Sequence, residues 1–483
     1  MGEVNRFELD PNSRLSSDGR VLFGGSPMSM FRLSKAGSAL LDRVSNRQPL
    51  PRGHHVLTAR LAAAGAIHPL PDAGTGPIAQ EVTLVVPCYG ADPTRVARLA
   101  GSAPFGRVIV VDDASPTPFP KSDGIDVIRL ERNGGPGVAR QRGLDAVDTP
   151  FVAFLDADVT PEAGWLEALL PHFVDDGVAL VAPRVRAAEP DAQSSTVARA
   201  CARFEGLRGP LDLGPQRARI RAASRVSYVP AAALVARTES LRHVGGFDPE
   251  LRLGEDVDLV WRLDESGVSC RYEPASEVHH DVRSTLGAWL RQRAGYGFSA
   301  TDLAVRHPGA VAPVQTSAWS ALAWTVAAAG SPLMGICIAG GTTAALAKKF
   351  PDLPNREVEA LRLAGLGNLH AGRVLATALT RSWWPVSLVM ALMSRRARHL
   401  LLLALLVPTA FEWWPSRHKI DPLTFAALRV LDDGAYGFGL WRGAVARRTA
   451  AALVPDLTSW PNRPRYTRFR EAGIATSGTS GQQ

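Results

Sequence analysis

PFVAFLDADV, residues 150–159, is the stretch on which the reading of this chain turns. Five apolar residues in a row, Phe151 to Leu155, follow Pro150 and end at an acid. Such a run suits a strand buried on both faces, and therefore central in a sheet. Side chains alternate along a strand, so Asp156 and Asp158 leave the sheet on one side. Two carboxylates on one side suit a hard divalent cation. Mg²⁺ or Mn²⁺ held this way keeps waters and bridges to phosphate oxygens. An isolated Asp-x-Asp is common by chance, and it is the preceding buried run that gives this one weight.

Similar runs lie on either side: VTLVVP (82–87), RVIVVDD (107–113), DVIRL (126–130) and VALVAPRV (178–185). They alternate with helical segments expected at 93–100, 136–147 and 161–173, which predicts an α/β domain with a parallel sheet over residues 82–305. Asp112 and Asp113 end the second of these runs, where open α/β sheets bind ligands. An ionised Asp there can accept from uracil N3–H or ribose hydroxyls, although it can equally cap the following Ser-Pro turn. Residues 133–140, NGGPGVAR, invite a dinucleotide fingerprint, but Arg140 stands where its third glycine belongs. Gly135 is instead expected to turn the backbone into a helix whose amino end, with Arg140, faces a pyrophosphate.

Glu255 and Asp256 open a helix with an apolar face at Leu259 and Leu263. Acids there act as caps, or one of them takes the proton of an attacking hydroxyl. His279 and His280 follow in SEVHHDVRS, and a neutral imidazole there can serve as a third metal ligand.

The ends of the chain differ from its middle. Residues 10–72 carry two β-like runs (21–23 and 30–33) and two helical patterns (36–44 and 55–64), a small β-then-α module. Residues 73–81 read as a linker. The polar N-terminus lacks the apolar core of a secretory signal. Residues 306–470 are apolar and helical. From Pro308 to Ala347 there is no Asp, Glu, Lys or Arg, a length sufficient to span a bilayer; Gly330, Ser331 and Pro332 divide it, so a broken or re-entrant helix pair competes with one tilted span. A second apolar zone, 383–411, is interrupted by Arg395, Arg396, Arg398 and His399, and eight of the eleven Trp lie after residue 310. Interfacial belts look like this, so contact with the cytoplasmic face of the cell membrane is expected. Residues 471–483 read as a disordered tail.

The 483 residues allow two to four domains. With 21% charged and 46% hydrophobic residues the chain is neither disordered nor a many-pass transporter. Cys88, Cys201, Cys270 and Cys337 lie far apart without CxxC spacing, which fits a reducing compartment and points to neither disulfides nor zinc. The net charge is +8, but only five of the 54 basic residues are Lys, so no nucleic-acid partner is inferred from it.

In order, VVPCYG, VVDDASP, RNGGPGVARQRGL, FLDADV, GGFD, GEDVDLVWRL and VHH resemble the inverting family 2 glycosyltransferases over roughly residues 82–300. The resemblance implies a GT-A (Rossmann-like) fold, a nucleotide-sugar donor and Mn²⁺ or Mg²⁺. It places Pro87, Asp112, Asp113, Gly135, Arg140 and Asp156 on the donor, and Asp156, Asp158 and His280 on the metal. Asp256 becomes the base, with Glu255 beside it. The segment RQRAGYG (291–297) keeps only Gln292 of the Gln-x-x-Arg-Trp motif of processive relatives.

The N-terminal RLSSDGRVLFGGSPMSMFRLSKAGSALLDRV resembles a PqqD-type peptide-recognition winged helix, and the combination is similar to the glycosyltransferases of the mycofactocin system. That resemblance implies glucose from UDP-glucose, β-1,4-linked, passed to a peptide-derived redox cofactor precursor. A lipid or cell-envelope glycan acceptor is the alternative. A nucleotidyltransferase and a noncatalytic peptide-binding scaffold stand further off.

Overall fold

The computed structural model describes residues 4–51, 53–190, 193–350 and 353–457. The chain opens with β1 (Phe7–Leu9), β2 (Arg14–Leu15), β3 (Val21–Gly24), β4 (Ser29–Arg32), α1 (Lys35–Ser45), α2 (His55–Ala63) and β5 (Ile67–Pro69). Strands β2, β3 and β4 form an antiparallel sheet, and β1 pairs with β5. Ser34 starts α1 by accepting from the Gly37 N–H, the usual service of an N-cap hydroxyl. Leu22, Phe31, Leu41, Leu61 and Ile67 close a small core between these pieces.

The next unit contains β6 (Val82–Cys88), α3 (Pro93–Ala100), β7 (Arg107–Asp112), β8 (Asp126–Arg129), α4 (Pro136–Asp145), β9 (Phe151–Leu155), β10 (Val159–Pro161) and α5 (Trp165–Leu169). It continues with β11 (Val178–Ala187), α6 (Thr196–Arg208), β12 (Ala218–Arg219), β13 (Ala233–Arg237), α7 (Thr238–His243), α8 (Glu255–Glu265) and β14 (Ser269–His280). Their sheet has the order β10-β14-β11-β13-β9-β6-β7-β8, with β12 added against β14. This is the mixed central sheet of a GT-A-like fold. Strand β9 is central and wholly buried, and each of its large apolar side chains contributes about 1.5–3 kcal/mol by leaving water.

Two expectations need correction. The sheet is mixed: β9, β6, β7 and β8 are parallel to one another and β11 is parallel to β14, but β13 runs antiparallel to both β9 and β11, and β10 and β12 run antiparallel to β14. A continuous apolar run reports burial on two faces and carries no information about strand direction. The helix expected at 161–173 is also broken up. Pro161 belongs to β10, α5 starts only at Trp165 after Gly164 in a left-handed turn, and a 3₁₀ segment replaces it from Leu170. Pro171 has no N–H to continue the α-helix.

The rest is helical: α9 (Leu286–Arg306), β15 (Gln315–Thr316), α10 (Ala318–Ala328), α11 (Pro332–Ala347), α12 (Arg356–Thr377), α13 (Trp384–Met393), α14 (Arg395–Trp413), α15 (Pro422–Arg447) and β16 (Asp456–Leu457). Helix α15 lies directly on α9. A Cβ at Gly297 would run into the Tyr436 carbonyl, and one at Gly439 into the Ala294 carbonyl, so only glycine permits this approach. Charges lock the crossing. Asp432 takes Arg293 of α9 at 3.0 Å and also Arg208 of α6, and Arg381 reaches both Asp432 and Asp433. Removing one partner of a buried network strands the others, so Asp432→Ala is expected to cost about 3–5 kcal/mol. Thermal unfolding reads this, and an unchanged Tm would remove the cluster from the account.

The uncharged stretch forms the broken pair, not a span. Helix α10 ends at Ala328, Gly330 sits at φ +107°, and α11 begins at Pro332. Among the described residues no helix is long and apolar enough to cross a membrane. Several helices nevertheless keep large apolar side chains in solvent, such as Leu333 on α11, Leu392 and Met393 on α13, and Leu403 and Phe411 on α14. The expected tail at 471–483 lies outside the described residues.

Candidate active site

Strand β9 delivers Asp156 and Asp158 to the carboxyl edge of the sheet, and β10 then turns back along β14. That pairing sets Val159 opposite His280, and the Asp281 N–H donates to the Asp158 carbonyl at 3.0 Å. His280 Nε2 consequently lies 3.3 Å from Asp158 Oδ1. One ligand atom each from Asp156, Asp158 and His280 fall within 4.8 Å of one another. Two carboxylates and an imidazole make a donor set suited to a divalent ion such as Mn²⁺. Arg283 stands 3.5 Å from the other Asp158 oxygen. His279 points to the opposite face of β14 and bonds Glu162 at 2.9 Å, as strand alternation requires.

The second half of the site rests on Arg140. Its guanidinium is 4% exposed and bridges Asp156 Oδ1 and Glu255 Oε1, each at 2.6 Å. Burial opposes its charge, but the Asp156 and Glu255 carboxylates raise its pKa above the ordinary value. Arg140 is thus an internal tie between the strand-end acids and the head of α8, and it does not stand open to a pyrophosphate as expected. Helix α4 brings it there. Gly135 adopts φ +90° as the N-cap and Pro136 supplies the first helical residue.

The glycine loop is also spoken for. The Gly134 and Gly135 N–H groups donate to the Asp113 carboxylate at 2.7 and 2.8 Å. Asp112 accepts from the Ser115 and Phe119 N–H groups at 2.8 and 3.0 Å and from Arg129. These two carboxylates therefore shape the loops around the crevice, and the capping reading of Asp112 holds. Pro87 lies in β6 opposite Val111, half-buried.

At the head of α8, Gly254 in a left-handed conformation turns the chain so that Glu255 and Asp256 enter the first helical turn. Asp256 accepts from the Ala231 N–H at 3.1 Å and stays half-buried. Burial raises its pKa, with Arg140 opposing. Glu255 is pushed up to about 7, chiefly by burial and then by the charge of Asp256. Two adjacent acids with raised pKa, one tied to Arg140 and one free to accept a proton, are the arrangement a general base needs near neutral pH.

Sequence reasoning singled out these acids but missed their connection through Arg140, because nothing in the spacing of residues 140, 156 and 255 reveals it. Arg283 was missed as well, although it follows His280 by three residues. A cavity of about 30 Å³ opens beside His280, and Gln292, Arg293 and Tyr296 of α9 line it. Gln292 thus reaches the crevice, while Arg293 is buried and paired with Glu205 and Asp432.

The family model described as "Glycosyl transferase family 2" matches residues 84–209, and that described as "Glycosyl transferase family group 2" matches 151–414. The chain is 40% identical over 468 residues to the pre-mycofactocin glycosyltransferase of Mycobacterium tuberculosis, covering 93% of this chain and 97% of that protein. Among solved structures, a mannosyltransferase of Pyrobaculum calidifontis in complex with GDP-Man and Mn²⁺ aligns with a TM-score of 0.42 at 14% identity, over 78% of this chain and 90% of that one. TarS of S. aureus in complex with UDP gives 0.31 at 18%, over 46% and 64%.

Proposed function

This chain belongs to glycosyltransferase family 2, and we propose that it transfers glucose from UDP-glucose, with inversion, to a peptide-derived pre-mycofactocin acceptor. The observation that carries the reading is the joining of the Asp156, Asp158 and His280 cluster to Glu255 and Asp256 through Arg140. Identity along nearly the whole of a pre-mycofactocin glycosyltransferase supports the acceptor.

Asp156, Asp158 and His280 would hold Mn²⁺ or Mg²⁺, which when bound neutralises charge on the departing diphosphate. Arg140 occupies one oxygen of Asp156, leaving the other for the ion. Asp256 accepts the proton of the acceptor hydroxyl while that oxygen bonds the anomeric carbon and the bond to the nucleotide breaks. Burial raises the basicity of Asp256, and its charge in turn raises the pKa of Glu255, which is held on Arg140. Incubation with the candidate acceptor and a set of UDP-sugars, read by mass spectrometry, tests donor and acceptor together. Transfer only to a lipid or envelope glycan would replace this acceptor by the alternative, which the exposed apolar helices favour.

The raised pair also predicts a pH dependence. Activity needs an ionised base, so kcat/KM should fall with decreasing pH on a limb displaced above the ordinary carboxylate range of about 4, because burial raises Asp256. The stability effect has the opposite direction. Glu255 has a folded pKa above its unfolded value, so it opposes folding increasingly as pH rises from about 4.5 through about 7. Glu255→Gln should flatten that slope in denaturant titrations at several pH values, and an unaltered slope would contradict it.

The same proposal divides the chain at 10–72, 82–305 and 306–470. The first part, a β-sheet with two helices, acts as a PqqD-like peptide-recognition module. The last lies on the cytoplasmic face of the cell membrane. Exposed apolar side chains on α11, α13 and α14 adjoin Arg395, Arg396 and Arg398 at the amino end of α14. Cations are unfavourable at that helix end unless an anion faces them. Co-sedimentation with phosphatidylglycerol vesicles but not phosphatidylcholine vesicles is the expected result, and no binding to either would refute it.

A further inference from the structure

Helix α8 carries more than the two acids at its head. Asp258, Trp261 and Glu265 follow at intervals of three and four residues, so they share one face of the helix. That face meets the end of α9, where His307 closes the helix by donating its N–H to the Leu303 carbonyl at 2.8 Å. The His307 side chain is buried. Its Nε2 lies 2.9 Å from Asp258 Oδ1 and its Nδ1 lies 3.1 Å from Glu265 Oε1. The Trp261 ring stands perpendicular to the imidazole, with the centroids 5.0 Å apart.

An ionised carboxylate accepts hydrogen bonds and does not donate them. An imidazole between two of them therefore satisfies both only with a proton on each nitrogen. Burial opposes that charge, but the bonds to Asp258 and Glu265 outweigh it and hold the His307 pKa above its ordinary value. The carbonyl end of α9 favours the cation as well. The other charges nearby are engaged elsewhere. Arg262 donates to Asp258 from Nε at 2.7 Å, and Arg306 turns to Asp248 and Glu250 at 2.9 and 3.5 Å. From Pro308 to Ala347 the chain brings no Asp, Glu, Lys or Arg.

This contact lies behind the proposed base. Gly254, which precedes Glu255, packs on the same end of α9: a Cβ there would stand 3.1 Å from Leu303 and 3.4 Å from Ser299. The last turns of α9 thus touch the turn that launches Glu255 and Asp256 and, through His307, the helix directly after it. A neutral imidazole has a single N–H. Asp258 is buried and Glu265 is exposed, so loss of the proton leaves Asp258 on Nε2 and releases Glu265 to water. The charge that draws α9 onto α8 is lost with it.

We propose that His307 is a positioning residue for transfer: as an imidazolium it pins the end of α9 to α8 and so fixes the Glu255-Asp256 turn, and loss of its proton slackens that turn. The link to transfer rests on the reading of Asp256 as the base, whereas the pinning of α8 does not.

The test uses the full-length enzyme from about pH 5 to about pH 9. Besides the acid limb of Asp256, kcat/KM should carry an alkaline limb above the ordinary imidazole value of about 6.5. Glu265→Gln, at an exposed position, removes one of the two carboxylates. It should move the alkaline limb to lower pH by about half a unit or more while the activity at the optimum is retained. His307→Gln should remove the limb and lower the optimum by about tenfold, within the range for a small misplacement of a catalytic group.

Stability supplies a readout independent of transfer. A group whose folded pKa is raised adds stability that is fully present below its unfolded pKa and is lost as pH rises through the folded one. The difference in unfolding free energy between the enzyme and His307→Gln should therefore be constant below about pH 6.5 and shrink above it. Both proteins contain Glu255, so its own pH dependence cancels in the difference. An alkaline limb that stays in place in Glu265→Gln, or that survives in His307→Gln, overturns the proposal. So does the absence of that limb from the unaltered enzyme, or a stability difference that is the same at every pH. Should His307→Gln fail to fold, the shift in Glu265→Gln decides. Failure of the base assignment would show separately, as near-normal turnover of Asp256→Asn.

Discussion

Asp256→Asn is expected to lower transfer by about 10²–10⁴-fold while UDP-sugar affinity stays close to that of the unaltered enzyme. Asn keeps the shape of the side chain and its acceptor for the Ala231 N–H, but it cannot take a proton. Turnover and donor affinity must be measured on the same protein, because loss of both would indicate a collapsed crevice. Near-normal turnover would move the base to Glu255, whose raised pKa also suits the task. Glu255→Gln separates the two. If Asp256 is the base, the Gln variant retains the chemical step, though weakened, because Arg140 keeps Asp156 as partner.

Removal of the metal should have an effect of similar size. A chelator, or Asp158→Ala, is expected to reduce transfer by on the order of a thousandfold, the equivalent of several kcal/mol of charge neutralisation. Binding of Mn²⁺ to the protein, followed by electron paramagnetic resonance without any substrate, supplies a second readout. Asp158→Ala should abolish it, and His280→Ala should weaken it while activity returns at high Mn²⁺. Full activity in chelator would defeat the assignment of all three ligands.

Much of this was legible in the residues, and the limits of legibility are physical. Asp156 and Asp158 were found because strand period and a buried run are local properties. The α3 boundaries were legible for the same reason, with Asp92 as cap and Pro93 as first residue. The direction of β13 and β11 was not, since burial on two faces looks the same in parallel and antiparallel strands. Arg140 was assigned to a pyrophosphate because the amino end of a helix and an arginine both suit an anion. Only the fold, which brings Arg140 of α4 against both Asp156 after β9 and Glu255 at the head of α8, makes it an internal counter-charge. Asp113 was given a ligand role that its bonds to Gly134 and Gly135 now share. The apolar stretch at 308–347 has a length adequate for a bilayer, yet Gly330 and Pro332 divide it.

The first sheet of the chain packs where it could not have been expected to. Val21 and Phe23 of β3 share a cluster with Phe350, Leu353 and Ala360, and Arg14 pairs with Glu359. Those partners are roughly 350 residues apart, and a ribosome adding about 5–20 residues per second needs some 20–70 s to supply the later one. The earliest segment to be synthesised is therefore among the last to be completed. During that interval Phe23 faces water or a chaperone, and a chain terminated after α9 would keep that surface uncovered permanently. A truncation that keeps residues 1–72 but removes α11 and α12 should for this reason leave Val21 and Phe23 without their partners and create a sticky, half-finished face.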